Sequence, residues 1–327
     1  SLMTDLSARI AGIGSYLPER ILTNDEISAM VDTSDSWIRE RTGIRQRHIA
    51  GEGVTTCDLA ERAARRALED AGLTGEDLDL IVVATTTPDF TFPSVGTMLQ
   101  ARLGATKGAA FDVQAVCTGF VYALAMADNM IARGQARTAL VVGAETMSRL
   151  LDWTDRSTCV LFGDGAGAMV LRAEEPAASG NQSGVLGTYL RSDGRFKDLL
   201  HVDGGPSSTG TVGHLRMVGN QVFRHAITNI AESMTTIATR SGVTIEEVDW
   251  FVPHQANQRI LEGVARRLSI PTEKVISTVA DHGNTSAASV PLAFDRAVQD
   301  GRIKRGDLVL MEALGGGFTW GAALARF

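Results

Sequence analysis

The sequence predicts an α/β protein made of two similar halves, and two observations lead to this fold class. First, helix-like segments alternate with apolar, strand-like runs at 8–15, 78–85, 109–113 and 138–143. Second, the pattern G-A-x-x-x-R follows a glycine-rich turn twice, at 167–172 and again at 321–326, where the chain ends. With 327 residues, the chain is long enough for two such units, and internal similarity indicates a duplicated architecture.

The internal similarity also suggests how the halves correspond. Strand-like residues 139–145 match 307–313, and laying Glu145 on Glu312 places Cys117 on Asn284 without a gap. We therefore expect Cys117 and Asn284 to lie at equivalent helix N-termini. The predicted halves are 3–174 and 185–327, joined by a Gly-, Ser- and Pro-containing linker at 173–184.

The remaining elements follow from apolar periodicity and from stop signals. Predicted helices lie at 25–31, 56–71, 94–103, 120–131, 217–240, 258–268 and 286–299, and further strands at 162–172, 248–253, 308–313 and 320–327. The charged segment 33–47, which carries Trp37, is interpreted as a loop. The Gly- and Ser-rich segment 193–213 is expected to cover a site as a lid or wall.

Composition excludes several classes of function. The net charge of −7 argues against general nucleic-acid binding, and no apolar run reaches the length of a membrane span. The three cysteines form no C-x-x-C pair, which indicates neither a disulfide framework nor a zinc site. No basic N-terminal region precedes an apolar core, so we expect no secretory signal, no membrane association and a cytoplasmic location.

The most informative stretch is 108–134. A short apolar run at 109–113, predicted to be a buried strand, leads through a turn to Cys117, and a long apolar helix follows. A helix N-terminus favours negative charge, so a thiol there is expected to have a lowered pKa and to act as a nucleophile. The alternative is that Cys117 is simply a small apolar core residue.

Two polar motifs complete a constellation around this cysteine. His254 follows the predicted strand 248–253, and Asn284 precedes the predicted helix 286–299. A cysteine, a histidine and an asparagine together suit nucleophilic acyl chemistry. The glycine run 315–317 lets the backbone approach a ligand, so that N–H groups can bind an oxyanion. Taken singly, His254 is also explained as a structural histidine, Asn284 as a cap and the glycines as a turn.

These motifs resemble those of the β-ketoacyl-acyl carrier protein synthase III family, the initiating condensing enzymes of type II fatty-acid synthesis within the thiolase superfamily. The resemblance covers essentially the whole chain and is carried by residues 32–49, 87–94, 117–120, 154–168, 252–260, 281–289 and 315–324. It implies a thiolase-like five-layer αβαβα fold of two duplicated halves and a homodimer.

The resemblance also implies roles for individual residues. Cys117 would take the acyl group from acyl-CoA, His254 and Asn284 would hydrogen-bond the malonyl thioester carbonyl, and the N–H groups of Cys117 and Gly316 would form the oxyanion hole. Phe92 would reach across the dimer into the partner's acyl pocket. The residues implied to contact CoA are Trp37 and Arg156, which would sandwich the adenine, together with Thr33, Arg41, Asn220 and Asn257. The residues implied to dock the acidic acyl carrier protein are Arg224, Arg259, Arg266 and Arg267.

The implied reaction uses acyl-CoA and malonyl-acyl carrier protein as substrates and no metal or redox cofactor. The chain departs from the family's commonest pattern at 114–116, which read Gln-Ala-Val, and at Ser157, where glycine is common. Because of these departures, the sequence does not predict the width of the acyl pocket.

Three other functions fit parts of the pattern. A related condensing enzyme or acyltransferase of secondary metabolism, of the alkylquinolone or polyketide type, would carry the same three residues. A papain-like protease also orders Cys, His and Asn along the chain, but this sequence lacks the C-G-S-C-W motif. The third is a carrier-protein-binding module that has lost activity, but such a module would not need to keep all three of Cys117, His254 and Asn284.

Overall fold

In the computed structural model, which describes residues 5–177 and 182–327, thirteen strands and nine α-helices occur in these parts of the chain. The strands are β1 (Ser7–Tyr16), β2 (Arg20–Thr23), β3 (Gln46–Ile49), β4 (Leu80–Ala84), β5 (Ala109–Val113), β6 (Thr138–Thr146), β7 (Asp164–Glu174), β8 (Gly184–Ser192), β9 (Leu200–Val202), β10 (Leu215–Met217), β11 (Trp250–Pro253), β12 (Leu308–Gly315) and β13 (Thr319–Arg326).

The helices match most of the predicted ones within a few residues. They are α1 (Asn24–Ser28), α2 (Asp35–Thr42), α3 (Thr56–Ala71), α4 (Val95–Arg102), α5 (Gly119–Ala132), α6 (Gly219–Arg240), α7 (Gln258–Arg267), α8 (Val279–His282) and α9 (Ser289–Gln299). Helix α3 shows why the prediction worked, because Thr55 caps its N-terminus and Gly72 ends it in the left-handed conformation.

Two main sheets form the centre of the fold. The first has the strand order β1-β7-β6-β4-β5, and the second has the order β11-β12-β13-β8. Helices α5 and α9 lie between the sheets and contact both of them. Helices α3 and α4 cover the outer face of the first sheet, and α6 covers the outer face of the second. The result is the predicted five-layer αβαβα arrangement.

The core follows these layers. Between the sheets, Phe120 and Leu124 of α5 pack with Phe294 of α9 and with strand residues such as Val82 and Val309, and all of these are fully buried. Each such large apolar side chain contributes about 1.5–3 kcal/mol when it is removed from water. The middle helical layer is therefore held from both sides by apolar contacts.

The duplication is confirmed, but the predicted register is wrong by three residues. The paired elements begin at residues 80 and 250 (β4 and β11), 119 and 289 (α5 and α9), and 138 and 308 (β6 and β12), so the offset is 170. Short 3-10 helices at Val116–Thr118 and Ser286–Ala288 have the same offset. Cys117 therefore corresponds to Ala287 rather than to Asn284, because at this offset Glu312 corresponds to Val142 and the two glutamates that anchored the alignment are not equivalent.

Several local predictions need correction. Strand β5 is only half-buried, because it is the edge strand of its sheet. Trp37 lies in helix α2, not in a loop, since Ser34 caps the helix and Gly43 ends it. Strands β2, β3 and β8 were not predicted, and the segment 193–213 contains β9, which pairs with β10. Of the predicted linker, 178–181 lies outside the described residues, and the division into halves at 174 and 185 stays a prediction.

Candidate active site

The nucleophile candidate sits at a tightly constrained turn. Cys117 lies in the 3-10 helix between β5 and α5 and is 4% exposed. The hydroxyl of Thr118 donates to the carbonyl of Thr319 at 3.0 Å, and the hydroxyl of Thr319 donates to the carbonyl of Ala115 at 2.7 Å. A Cβ on Gly315 would lie 2.6 Å from the Cys117 nitrogen, so only glycine lets the end of β12 approach the cysteine.

His254 follows β11 and is fixed through both its backbone and its ring. Its N–H donates to the carbonyl of Glu312 at 2.7 Å, and its Nδ1 lies 2.5 Å from the hydroxyl oxygen of Ser289. Burial lowers the pKa of His254 to about 3. The imidazole is therefore neutral at physiological pH, and one of its two ring nitrogens carries no proton.

Asn284 is held so that its amide group can donate. Its backbone N–H donates to the carbonyl of Leu161 at 2.8 Å, and its own carbonyl accepts from Gly163 at 3.0 Å. The backbone N–H of Ser286 donates to the side-chain Oδ1 at 2.8 Å. Because a backbone N–H can only donate, the side-chain oxygen must face Ser286, which leaves the Nδ2 amide group for a ligand.

Cys117, His254 and Asn284 line one cavity of about 760 Å³. They come from three distant parts of the sequence, and the ends of elements from both halves bring them together. Backbone N–H groups in the first turn of a helix have no acceptor within the helix, so that of Cys117 can serve a ligand. Gly316 lines a second cavity of about 960 Å³, which shares Val116, Met147, Leu200 and Leu215 with the first.

The predicted lowering of the Cys117 pKa is wrong. Burial is the main cause that raises the pKa of the thiol to about 12; the nearby Glu145 acts in the same direction, and the Ser286 hydroxyl partly opposes the change. The rise in pKa caused by removing the thiol from water is larger than the lowering expected from the helix N-terminus, which stabilises the thiolate. The resting side chain is therefore a neutral thiol, which has to lose its proton to a base when it attacks.

A buried carboxylate behind the thiol was not predicted to be part of the site. Glu145 is fully buried in β6 and accepts from the Thr85, Thr86 and Thr87 hydroxyls at 2.8, 2.9 and 3.1 Å. The N–H of Thr86 adds a fourth bond at 2.6 Å. The sequence did carry a signal for this residue, because Glu145 is a charged residue inside an otherwise apolar strand. Ser286 and Ser289 were missed as well, although both stand in the motif around Asn284.

The residues predicted to contact CoA mostly line the first cavity. Trp37, Arg41, Arg156, Asn220 and Asn257 do so, whereas Thr33 does not. The hydroxyl oxygen of Thr33 is buried, and it has no hydrogen-bond partner within the described ranges. The side-chain oxygen of Asn257 caps α7 by accepting from the N–H of Ile260 at 3.0 Å.

Two guanidinium groups lie over the ring of Trp37. The Cζ atoms of Arg41 and Arg156 are 4.9 and 5.5 Å from the centre of its ring. Arg156 also donates to the carbonyl of Asp32 at 2.9 Å. A flat ring inserted between Trp37 and Arg156 needs two stacking distances, about 7 Å in total, so the guanidinium has to move outwards to form the predicted sandwich.

The four arginines predicted to dock a carrier protein are all exposed, but only two of them line the first cavity. Arg224 of α6 and Arg259 of α7 line the first cavity, whereas Arg266 and Arg267 stand on α7 outside both cavities. Phe92 lines the second cavity and is 82% exposed.

Comparison with known proteins identifies the family. Residues 111–194 match the model for 3-Oxoacyl-[acyl-carrier-protein (ACP)] synthase III, and residues 238–327 match the model for its C-terminal part. A relative from Rhodospirillum centenum, named Beta-ketoacyl-[acyl-carrier-protein] synthase III, is 62% identical over 98% of this chain and 99% of its own length.

Solved structures agree with this result. The 3-oxoacyl-[acyl-carrier-protein] synthase III of Aquifex aeolicus is 46% identical, with a TM-score of 0.92 over 98% of this chain and 100% of that one. A priming β-ketosynthase from the R1128 polyketide pathway is 35% identical, with a TM-score of 0.93 over 100% of this chain and 98% of that one. The thiolase-like fold is therefore common to enzymes of both kinds.

Proposed function

Because the chain belongs to the β-ketoacyl-[acyl-carrier-protein] synthase III family, the condensing acyltransferases that initiate fatty-acid synthesis, we propose how its site carries out this reaction. An acyl group passes from acyl-CoA, in our proposal acetyl-CoA, to Cys117 and is then condensed with malonyl-acyl carrier protein, releasing CoA and CO₂. The observation that carries the proposal is one cavity in which a thiol, a neutral imidazole and an oriented amide donor meet.

In the first half-reaction, Cys117 attacks the thioester carbonyl of acyl-CoA. Its proton passes to the Nε2 atom of neutral His254 as the S–C bond forms. The CoA thiolate then leaves and takes a proton, so that the acyl group remains on sulfur. General-base assistance contributes about 10²–10⁴-fold and is most effective when the pKa of the base is near the operating pH, so the low pKa of His254 places its contribution at the lower end of this range.

In the second half-reaction, malonyl-acyl carrier protein loses CO₂. Negative charge develops on the thioester oxygen, where Nδ2–H of Asn284 and Nε2–H of His254 donate hydrogen bonds. The resulting carbanion attacks the acyl group on Cys117, the C–S bond breaks, and the released Cys117 thiolate takes a proton from water, which restores the resting thiol. The N–H groups of Cys117 and Gly316 hold the oxyanion, and each such donor is worth about 10²–10³ in rate.

The CoA substrate is proposed to enter along the arginine-rich mouth of the first cavity. Trp37 and Arg156 sandwich the adenine once the guanidinium moves outwards, and a planar guanidinium suits this stacking. Thr33, Arg41, Asn220 and Asn257 supply further polar contacts. The exposed hydroxyl of Ser157, where the family commonly has glycine, adds a group to this mouth.

Acyl carrier protein is the second substrate-bearing partner. We propose that it docks on Arg224, Arg259, Arg266 and Arg267, because its thioester has to reach the first cavity and the first two arginines line that mouth. Exposed arginines attract an acidic partner at long range, and added salt weakens such attraction.

A homodimer is supported by surface left open on one chain. Within the described ranges, edge strand β5 pairs only with β4, and Phe90 and Phe92 nearby are 59% and 82% exposed. We propose that β5 pairs with its copy in a second chain, and that Phe92 of each chain enters the partner's acyl pocket, the second cavity. Sedimentation analysis of a Phe92→Asp variant should show dissociation into monomers.

The proposed chemistry transfers an acyl group and releases CO₂, so it needs neither an electron carrier nor a metal ion. None of the helices in the described parts of the chain has both the length and the apolar character to cross a membrane. We propose that the enzyme works in the cytoplasm, and that residues 3–174 and 185–327 form its two duplicated halves.

The deciding experiment is product analysis with acetyl-CoA and malonyl-acyl carrier protein. We expect acetoacetyl-acyl carrier protein and one CO₂ for each CoA released. Failure to accept acetyl-CoA, with condensation of another acyl-CoA, would favour a priming enzyme of secondary metabolism, the function for which the R1128 ketosynthase is named. Family membership excludes the papain-like protease considered above.

A further inference from the structure

Ser289 has no assigned role, yet it is the group that holds the His254 ring. It is the first residue of α9 and is 1% exposed. Its hydroxyl oxygen lies 2.5 Å from Nδ1 of His254 and accepts the backbone N–H of Gln255 at 3.2 Å. The serine belongs to the second half's buried helix, so its position relative to the ring is rigid.

The hydroxyl can form either kind of bond with the ring. A serine hydroxyl has one O–H donor and two acceptor positions, and the N–H of Gln255 occupies one of these acceptor positions. The other can accept from Nδ1–H, or the O–H can donate to an unprotonated Nδ1. A carboxylate or a carbonyl at this place could only accept, which would keep the proton on Nδ1 and hold the ring in one tautomer.

The two half-reactions require different tautomers of the neutral imidazole. During acylation, Nε2 has to accept the thiol proton, so the resting proton must be on Nδ1. During decarboxylation, Nε2–H has to donate to the malonyl carbonyl, so Nδ1 must be unprotonated. We propose that Ser289 is a positioning residue that holds the His254 ring in place and accommodates both tautomers, one for each half-reaction. This inference rests on the proposed role of His254.

The change of tautomer is balanced in protons. Acylation leaves an imidazolium with a proton on each nitrogen. If the CoA thiolate takes the Nε2 proton, the Nδ1–H form returns, with Ser289 accepting. If CoA takes its proton from water and Nδ1 releases its own proton to water, the Nε2–H form remains, with Ser289 turned to donate. No oxidant, metal or further group is involved.

The test compares Ser289→Thr with Ser289→Val, which have the same shape and differ only by the hydroxyl. Single-turnover acetyl transfer and release of labelled CO₂ are measured for each. Ser289→Thr should stay within about threefold of the Ser289 enzyme, and Ser289→Val should fall about 10-fold or more below Ser289→Thr in both half-reactions. Ser289→Ala removes the hydroxyl without adding atoms and should behave like Ser289→Val. It therefore shows the effect of losing the hydroxyl even if the extra methyl group of threonine and valine does not fit the site.

A nitrogen NMR measurement on labelled histidine gives a readout that simple misfolding would not imitate. His254→Ala identifies the His254 signals among those of the six histidines. We expect Nδ1 to be protonated in the free enzyme and Nε2 to be protonated when the acetylated enzyme binds a non-decarboxylating malonyl thioester analogue. The same tautomer in both states, or equal rates for Ser289→Thr and Ser289→Val, would overturn the proposal. If His254→Ala itself keeps both half-reactions, the proposed role of His254 fails instead.

Discussion

Replacing Asn284 by alanine should separate the two half-reactions. Because Ser286 N–H fixes the side-chain oxygen at 2.8 Å, the lost group that matters to the substrate is the Nδ2 donor. Losing one donor to a developing oxyanion costs about 10²–10³ in rate, which corresponds to about 2.7–4 kcal/mol. We therefore expect decarboxylation to fall by that factor, and acetyl transfer to Cys117 to stay within about threefold.

The same change has a separate effect on stability. It leaves the buried N–H of Ser286 without its acceptor, which costs about 1–3 kcal/mol. Proteins of ordinary stability, about 5–15 kcal/mol, remain folded after such a loss, so Asn284→Ala should unfold at a lower temperature but in the same cooperative way. Asn129→Ala, on the exposed side of α5, is the matched control and should change neither half-reaction.

Asn284→Asp makes the test sharper. Aspartate keeps an oxygen for Ser286 N–H, but it can donate a hydrogen bond to the substrate only when its carboxyl group is protonated. Burial raises a carboxyl pKa, so decarboxylation by Asn284→Asp should recover as the pH falls, and that of Asn284→Ala should not. Single-turnover acetyl transfer and labelled CO₂ release measure the two half-reactions. Loss of acetyl transfer with intact decarboxylation in Asn284→Ala would refute the assignment.

Further predictions concern the thiol, the docking surface and pH. Peptide mapping after exposure to acetyl-CoA should find the acetyl group on Cys117 alone, and label on either other cysteine would contradict this. Arg259→Glu should raise KM for malonyl-acyl carrier protein severalfold in a salt-dependent way with acetyl transfer unchanged, whereas Arg133→Glu at the end of α5 should have no effect. Acetyl transfer should vary little across neutral pH, because His254 and Cys117 have pKa values of about 3 and about 12; a steep rise near pH 7 would indicate a thiolate formed before attack. Burial lowers the pKa of His282 to about 4, below its ordinary value of 6.5, so the unfolded chain binds the proton more readily. The stability that His282 contributes is present above pH 6.5 and lost towards pH 4, and Tm measured over this range should fall less in His282→Gln.

Local signals made most of the elements predictable. Helix α3 was predicted at its observed bounds, because its cap, its apolar face and its terminal glycine all lie within the segment itself. Strand β5 was also predicted at its observed bounds, but its half-buried state was not. Burial of a strand depends on its place in the sheet, and a short apolar run is the same at an edge as in the centre.

In the candidate site, too, the features set by local sequence were predictable and those set by contacts between distant residues were not. Cys117, His254 and Asn284 were identified because each stands next to an element end and within a motif. The pKa of Cys117 was mispredicted, because its sign depends on desolvation and on Glu145, which approaches from another strand. The contact between Ser289 and His254 joins residues 35 positions apart in the chain, and no pattern within either motif indicates it.

The middle helical layer has a consequence for how the enzyme loses activity. Helices α5 and α9 each contact both sheets, and the candidate nucleophile and the serine beside His254 lie at their N-terminal ends. Neither helix can separate from its neighbours without exposing the apolar layer between the sheets. Amide hydrogens of α5 and α9 should therefore exchange only through global opening, and heat inactivation should coincide with loss of the whole fold.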